Sequence, residues 1–283
     1  MPEGHTIHRH ARLQRKLLVG KTVRASSPQR RFEEGAARLD GARVADIEAH
    51  GKHLLYDWAD ADGLAIDEIL HVHLGLFGRF RTFTADPPPP TDGTRLALQV
   101  VGPDGQDGAT IYLAGATIVQ LITPAQAEAV IARLGPDPLQ ADADPSQFVH
   151  SLSRRTLPIG EALLNQKAIA GIGNVYRAEL LFRAGIAPDI PANEISEATA
   201  KALWDDAVQL LRLGERSGRI VTVDPSDVGK RRRSDLRGDE QRYVYKRHDR
   251  PCHRCGTTII KWQPRARTIW ACPQCQNMGR RSQ

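Results

Sequence analysis

Hydrophobic and polar positions follow two different periods along this chain of 283 residues. In the first half, short runs alternate apolar with polar residues or are rich in β-branched residues, which favours strands with one buried face. The predicted strands cover residues 43–47, 53–58, 68–74, 79–83, 96–101 and 110–113. This half is therefore predicted to be a β-sandwich, and Asp86 with the four prolines that follow it is predicted to form an exposed loop between strands.

The second half carries apolar residues at spacings of three and four, which predicts helices over residues 161–170, 176–184 and 197–213. An amphipathic helix from about Gly4 to Val19 precedes the strands. Proline and glycine gather in residues 134–139, and a polar, turn-prone stretch follows them. The predicted fold class is α+β, with a β-sandwich domain at 1–135, a linker at 136–149, a helical domain at 150–246 and a terminal hairpin at 247–283.

The cysteines form two Cys-x-x-Cys pairs with sixteen residues between them, and they are the only cysteines in the chain: Cys252, Cys255, Cys272 and Cys275. Each pair can offer two thiolates from a tight turn, and two facing turns complete the tetrahedron of one structural zinc ion. Residues 256–271 have the length and content of a β-hairpin, with strands at 257–260 and 267–270. The alternative is a pair of stabilising disulfides.

Charge is distributed unevenly along the chain. Residues 212–283 contain 18 Lys and Arg against 7 Asp and Glu, a net charge of +11, whereas the remainder has 21 against 26, a net charge of −5. A basic segment around a zinc hairpin is typical of a surface for a polyanion, because Lys and Arg release counterions when they contact phosphates. The alternative is a solvated charged face. No apolar run approaches the roughly 20 residues of a membrane span, so we expect a soluble protein.

A glycine turn separates two of the predicted helices. Gly171 and Gly173 allow close approach of the backbone, and Asn174 can cap the second helix and leave its amide nitrogen pointing outward. Backbone N–H groups at such a helix start favour an anion, and in a basic protein a DNA phosphate is the obvious one. The alternative is a packing corner in which Asn174 is only a cap.

The amino terminus offers a nucleophile. Removal of Met1 would expose Pro2 as a secondary amine, which can condense with an aldehyde into an iminium, and Glu3 sits beside it. Proline and glutamate at a helix start are also ordinary capping residues.

Taken together, these segments resemble the formamidopyrimidine-DNA glycosylase and endonuclease VIII family, most closely bacterial endonuclease VIII. The resemblance covers nearly the whole chain, in residues 1–4, 51–55, 73–78, 134–139, 166–179 and the terminal cysteine hairpin to Gln276. It implies a bifunctional glycosylase and abasic-site lyase of base excision repair, with a helix-two-turns-helix motif and a zinc finger. It also implies that the protein acts on damaged double-stranded DNA as a monomer, in the bacterial cytoplasm at the nucleoid.

The resemblance also implies roles for particular residues. Pro2 would be the nucleophile and Glu3 the proton donor, while Lys52 and Arg267 would contact phosphates and assist elimination. Gly173 and Asn174 would lie at the DNA backbone. On the residues alone, Lys52 is an ordinary solvated lysine and Arg267 is one arginine among many.

Two further pairs carry competing interpretations. Leu76 and Phe77 lie between two glycines and could wedge into the space that a flipped base leaves, or could pack in the core. His71 and His73 lie two residues apart on one face of a strand and could suggest a metal pair, although no third ligand recurs nearby.

Lesion preference is the least explicit property. Leu76 and Phe77, with Gly4 and His5, resemble endonuclease VIII, which removes oxidised pyrimidines, whereas the purine-directed branch carries methionine in the corresponding loop. Thr6 and Gly160 depart from the family, where glutamate and lysine are frequent. The alternatives are an 8-oxoguanine and formamidopyrimidine glycosylase, and a non-catalytic zinc-dependent DNA-binding protein.

Overall fold

The computed structural model describes residues 2–102, 107–264 and 267–278. The chain divides into two compact units, Met1–Arg133 and Leu134–Gln283. Among the described residues, no helix is both long enough and apolar enough to cross a bilayer.

The strands of the first unit are β1 (Val23–Ser26), β2 (Arg43–His50), β3 (His53–Ala59), β4 (Ile69–His73), β5 (Arg79–Phe83), β6 (Thr94–Val101), β7 (Asp107–Ala114) and β8 (Ile118–Ile122). They form two antiparallel sheets, in the strand orders β1-β6-β7-β5 and β2-β3-β4-β8. The helices are α1 (Gly4–Leu18), α2 (Glu33–Leu39) and α3 (Pro124–Ile131). The predicted β-sandwich is thereby confirmed.

Alternation along the strands builds the core of the sandwich. Leu54, Tyr56 and Trp58 of β3 and Leu70 and Val72 of β4 are all buried. Burial of one such side chain contributes about 1.5–3 kcal/mol, so each sheet face is fixed by the alternation that predicts it.

The first helix is fastened to β2 and β3. Its apolar stripe includes Ile7 and Leu18, as its spacing predicts. The hydroxyl of Tyr56 donates to Oε1 of the buried Gln14 at 2.5 Å. The guanidinium of Arg15 donates to both carboxylate oxygens of Asp46, at 2.8 and 2.5 Å. These contacts fix where the chain begins relative to its sheet.

Helices and one hairpin make up the second unit. They are α4 (Pro145–Ser153), α5 (Ile159–Ala162), α6 (Asn174–Arg183), α7 (Glu197–Ser217), β9 (Ile260–Trp262) and β10 (Ile269–Ala271). Phe148 and Trp204 pack with ring centroids 5.8 Å apart in the core between α4 and α7. The side chain of Ser196 accepts from Thr199 N at 3.2 Å and begins α7.

The middle of α6 carries a buried carboxylate that organises the loop before the hairpin. Glu179, which is fully buried, accepts from the backbone N–H groups of Tyr243, Val244 and Tyr245 at 2.7 to 3.0 Å, and from the hydroxyl of Thr222. One turn along, Phe182 stacks on Tyr243 with centroids 4.5 Å apart.

Several predicted boundaries are wrong, and the structure shows why. Only residues 161 and 162 of the helix predicted over residues 161–170 are helical, at the end of α5, because residues 163–173 form turns. The hairpin strands begin and end one to three residues from the predicted positions. Strands β1 and β8 and helices α2 to α4 were not predicted.

The four-part domain division stays a prediction. Helix α4 begins at Pro145, inside the predicted linker, with the Asp144 side chain accepting from Ser146 N at 2.8 Å. The terminal hairpin belongs to the same compact unit as the helices.

Candidate active site and nucleic-acid interface

Pro2 and Glu3 lie at the start of α1 in the first unit; Met1 lies outside the described residues. The Glu3 carbonyl accepts from Thr6 N at 2.8 Å, while its side chain is fully buried and does not cap the helix. The capping interpretation of this carboxylate is therefore wrong. Pro2 remains partly exposed beside it.

His5 stays neutral at pH 7 near this terminus. Burial, together with the positive charges of the amino terminus and Arg9, lowers the pKa of His5 to about 4. His5 therefore adds no positive charge to this region at pH 7.

Lys52 lies in the two-residue turn between β2 and β3, where His50 pairs with His53. It is half-buried and is close enough to His53 and His73 to help lower their pKa values. A lysine at a hairpin tip is a solvated cation in most proteins, and here it stands beside a cluster of imidazoles.

That histidine cluster spans β3 and β4. Nδ1 of His53 and Nε2 of the buried His71 are 2.9 Å apart, and the rings of His53 and His73 have centroids 5.0 Å apart. Burial and the neighbouring His73 lower the pKa of His71 to about 4. Over the described part of the chain, histidines contribute to no group of three or more metal-ligating atoms. The cluster is a hydrogen-bonded neutral pair with a neighbour, and it gives the metal-pair interpretation of His71 and His73 no support.

Leu76 and Phe77 occupy the tight loop between β4 and β5. They are 51% and 79% exposed, and Phe77 is the most exposed large apolar side chain among the described residues. The core-packing interpretation is therefore wrong. Gly75 allows this shape, because a Cβ at its φ of +63° would lie 1.8 Å from Oγ1 of Thr117.

In the second unit, Gln166 builds the turns that lead into α6. Its carboxamide donates to the carbonyls of Leu164 and Ile172 at 3.0 and 2.9 Å and accepts from Gly171 N at 3.1 Å. Three bonds from one side chain replace the helical bonds that were predicted here. Gly173 is the cap residue, and Asn174 is the first residue of α6.

Asn174 contacts the terminal hairpin. It is 6% exposed, and its Nδ2 donates to the carbonyl of Thr268 at 3.2 Å, so the predicted capping, outward-pointing amide is wrong. Nη2 of Arg177 donates to the same carbonyl at 2.7 Å and also to Oδ1 of Asn174. Arg267, the residue before Thr268, is exposed. The structure thus brings the backbone beside Arg267 to the start of α6.

The four cysteine sulfurs form a cluster in which all ligand atoms lie within 4.8 Å of one another. Sγ of Cys252 is 3.9 Å from Sγ of Cys275, and Sγ of Cys255 is 3.5 Å from Sγ of Cys272, so all four are free thiols. The disulfide alternative is wrong, and the cluster could hold a metal ion. Gln276 accepts from Cys272 N at 2.9 Å and donates to the Ile186 carbonyl at 2.8 Å, which ties the cluster to the helices.

Gln166, Arg177 and Gln276 were not assigned functions from the sequence. Each is a polar residue within an apolar or motif-bearing segment, and that polarity was the only indication in the sequence. Each donates to a backbone carbonyl, and no pattern of side chains identifies such an acceptor.

Comparisons with known proteins agree with this arrangement. Residues 1–114 match the model of the formamidopyrimidine-DNA glycosylase N-terminal domain, and residues 134–224 match that of the formamidopyrimidine-DNA glycosylase H2TH domain. The chain is 39% identical to "Endonuclease 8 1" of Mycobacterium tuberculosis, covering 98% of this chain and 100% of that protein. It is 32% identical to the formamidopyrimidine-DNA glycosylase of Acidothermus cellulolyticus, covering 99% and 98%.

Solved structures give the same result. The complex of Lactococcus lactis Fpg with DNA that contains an abasic site has a TM-score of 0.76 and 25% identity, over 97% of this chain and 99% of that one. The Thermus thermophilus MutM (Fpg) structure has a TM-score of 0.75 and 28% identity, over 99% and 100%.

The histidine cluster predicts how stability depends on pH. The folded pKa of His71, about 4, lies below the roughly 6.5 of an unfolded histidine, so the unfolded chain binds the proton first as pH falls. Stability is present above pH 6.5 and is lost as pH falls towards 4, by on the order of 2 kcal/mol. Hydrogen–deuterium exchange in β3 and β4, corrected for intrinsic rates, should show this loss between pH 7.5 and 4.5. His71→Gln should reduce it, and His150→Gln, at an exposed position of α4, should not. An equal loss in all three proteins would contradict the assignment.

Proposed function

Because this chain belongs to the formamidopyrimidine-DNA glycosylase and endonuclease VIII family, we propose that it removes oxidised pyrimidines from DNA, with Pro2 as nucleophile. Membership makes it a DNA glycosylase with abasic-site lyase activity, acting in base excision repair. The observation that carries the proposal is the pairing of a partly exposed Pro2 with the fully buried carboxylate of Glu3 at the start of α1.

The proposed reaction begins once the damaged nucleotide is flipped out of the duplex, at a cost of a few kcal/mol. The secondary amine of Pro2 attacks C1′ and displaces the base, and the proton that the amine gives up goes to the departing base. Glu3 protonates the ring oxygen of the opening sugar, which yields an iminium. This iminium withdraws electrons, so loss of a C2′ proton expels the 3′ phosphate, and a second elimination expels the 5′ phosphate.

Phosphate contacts are assigned to three places. Lys52 at the β2–β3 turn and the exposed Arg267 supply cations, and the start of α6 at Gly173 and Asn174 supplies backbone N–H groups. Since the Asn174 side chain is buried against Thr268, its backbone is the better candidate for the phosphate. The exposed Leu76 and Phe77 are assigned to the space left by the flipped base.

We assign zinc to the cysteine cluster. Zn–S bonds of about 2.3 Å in a tetrahedron require sulfurs about 3.8 Å apart, and the two short separations are 3.9 and 3.5 Å. Four protein ligands leave no open position, so the ion is structural. The protein is proposed to act as a monomer on double-stranded DNA in the bacterial cytoplasm.

Trapping with borohydride tests the nucleophile. Borohydride should reduce the iminium and link the protein to abasic-site DNA; Pro2→Gly should lower the trapped fraction at least tenfold, because a primary amine replaces the secondary one. A retained Met1 should abolish trapping, and undiminished trapping by that blocked protein would falsify the assignment. No trapping by any form would favour a non-catalytic DNA-binding protein.

Glu3→Gln is the matched comparison within the trapping experiment. It should lower base excision by about 10²-fold or more and affect cleavage of a pre-formed abasic site less, since that substrate has already lost its base.

Substitution of one cysteine tests whether the cluster holds a structural zinc ion. Cys272→Ser should lower zinc content, measured by atomic emission, and reduce duplex affinity at least tenfold, because the hairpin that carries Arg267 loses its cross-link. Exchange protection of β2–β4 should stay unchanged. Gln274→Ala, an exposed non-ligand in the same turn, should keep both zinc and affinity. Normal affinity of a metal-free protein would rule out the structural role.

Lesion preference is tested by single-turnover rates at one salt concentration. Thymine glycol and dihydrouracil should be excised at least tenfold faster than 8-oxoguanine opposite cytosine. A saturated, non-planar pyrimidine stacks poorly and is therefore cheaper to flip. The opposite order would place the protein with the purine-directed enzymes and leave Pro2, Glu3 and the cysteines in their roles.

A further inference from the structure

A cleft of about 550 Å³ lies against the terminal hairpin in the second unit. That volume is within the roughly 300–1,000 Å³ of small-ligand sites. Its walls combine two tryptophans with side chains that can donate hydrogen bonds: Lys246, His248, Lys261, Trp262, Thr268 and Trp270. None of the described residues that line it carries a carboxylate, so the cleft offers aromatic surface and positive charge to a ligand.

The indole N–H of Trp270 is one of the donors at this cleft. The side chain is 8% exposed, and Nε1 has no hydrogen-bond partner among the described protein groups. The ring packs edge to face against Tyr245, with ring centroids 4.7 Å apart. A buried N–H is nearly always paired, because an unpaired one bears its full cost of desolvation. An acceptor atom of a ligand in the cleft would satisfy it.

His248 supplies a second donor. Nζ of Lys261 lies 2.8 Å from Nε2 of His248, and Oδ2 of Asp249 lies farther from that nitrogen, at 3.5 Å. Because an ammonium group has donors and no acceptor, Nε2 accepts this bond and the ring proton lies on Nδ1. Nδ1 is buried and, within the part of the chain that the structure describes, has no partner either. The cleft thus has two N–H groups that call for acceptors.

Two exposed lysines, Lys246 and Lys261, supply the positive charge of the cleft. Lys246 has a φ of +59°, in the left-handed region that favours glycine. The chain therefore keeps a cationic side chain where glycine would relieve the backbone, and such a departure favours a binding role over a folding role. Aromatic walls, N–H donors and cations together fit a ligand that is flat, rich in acceptor atoms and negatively charged.

We propose that this cleft binds one unpaired nucleotide of a DNA strand. In the proposed arrangement the half-buried Trp262 stacks on the base, and the N–H groups of Trp270 and His248 donate to its carbonyl oxygens or ring nitrogens. The two lysines contact the phosphate.

The position of the cleft in the hairpin favours a DNA strand as the source of that nucleotide. Thr268, which lines the cleft, directly follows the exposed Arg267, so the inference rests on the proposed contact of Arg267 with the DNA backbone. A strand that Arg267 contacts brings further nucleotides close to the cleft. A base in an intact duplex is stacked and paired, and it would have to leave the helix to enter. The site therefore adds affinity for DNA that has an unpaired base, and adds none for an intact duplex.

The experiment compares three fluorescent probes of equal length by anisotropy at one salt concentration. They are a thymidine strand, the same strand in a blunt duplex, and a strand of tetrahydrofuran sugars that keeps the phosphates and has no bases. Trp262→Leu should weaken binding of the thymidine strand at least fivefold, since one base–aromatic stack is lost. Its binding to the blunt duplex and to the tetrahydrofuran strand should change less than twofold.

Two further variants test the donors and the charge, and zinc content and circular dichroism confirm that each is folded. Trp270→Phe removes one N–H, keeps an aromatic ring, and should weaken binding of the thymidine strand at least threefold. Trp58→Phe is the matched control, because Trp58 is 1% exposed in the first unit and its Nε1 also lacks a partner among the described groups. It should leave binding unchanged. Lys246→Gly should weaken binding of the strand and reduce the slope of its salt dependence by about 0.7.

Photo-cross-linking identifies the residue that contacts the base. A strand with one 5-iodouracil, irradiated on the bound protein, should be linked to Trp262 when the product is mapped by mass spectrometry. Thymidine monophosphate and an acidic peptide that ends in phenylalanine serve as competitors. Each should displace the strand only at concentrations at least a hundredfold above those of the unlabelled strand.

Equal losses of strand and duplex binding in Trp262→Leu would overturn the inference, as would cross-links confined to other residues or equal affinity of the parent for strands with and without bases. Displacement by the mononucleotide or the peptide at the concentration of the unlabelled strand would overturn it too, and would assign the cleft to that ligand. Arg267→Ala tests the role on which the inference rests and should weaken duplex and strand alike. Normal duplex affinity of Arg267→Ala would overturn the role of Arg267, while a strand-specific loss in Trp262→Leu would still support the cleft.

Discussion

The buried carboxylate of Glu179 is the contact on which the second unit depends. The carboxylate accepts hydrogen bonds from three backbone N–H groups and one hydroxyl. These bonds offset the several kcal/mol that burial of an unpaired carboxylate would cost. Those N–H groups belong to Tyr243, Val244 and Tyr245, directly before the cysteine hairpin. Glu179 therefore links α6 to the loop that leads into the hairpin.

The hairpin depends on polar contacts with the rest of the second unit because it is too small to fold by itself. Its strands are three residues each, and an isolated two-stranded hairpin of this size is marginal in water. The cysteine cluster lies at its base, Gln276 ties that base to Ile186, and Arg177 with Asn174 holds its returning strand at Thr268. Each attachment acts on a different part of the hairpin, and the exposed Arg267 directly precedes the carbonyl of Thr268, which two side chains of α6 hold.

Features that depend on residues close together in the chain are predicted from the sequence, whereas features that depend on hydrogen bonds to distant backbone groups are not. Two Cys-x-x-Cys pairs predict a cluster because each pair is local, and the cluster forms. Residues 161–170 have helical spacing, but the carboxamide of Gln166 bonds to Gly171 and Ile172 and turns the chain instead. Asn174 has the composition of a cap, yet its partner is a carbonyl 94 residues away. For Pro2, Glu3, Lys52 and Arg267, neither composition nor spacing distinguishes a functional group from an ordinary one, and the family resemblance supplies their roles.

The loop between β4 and β5 exposes two large apolar side chains to water. Leu76 and Phe77 would each contribute to stability if buried, yet they are 51% and 79% exposed at a turn whose shape requires a glycine at position 75. Exposed apolar side chains favour association with an apolar partner. Their exposure is the observation that supports the proposed contact of this loop with stacked bases. His53 and His71 differ from this loop, because their ring nitrogens contact each other across neighbouring strands of one sheet.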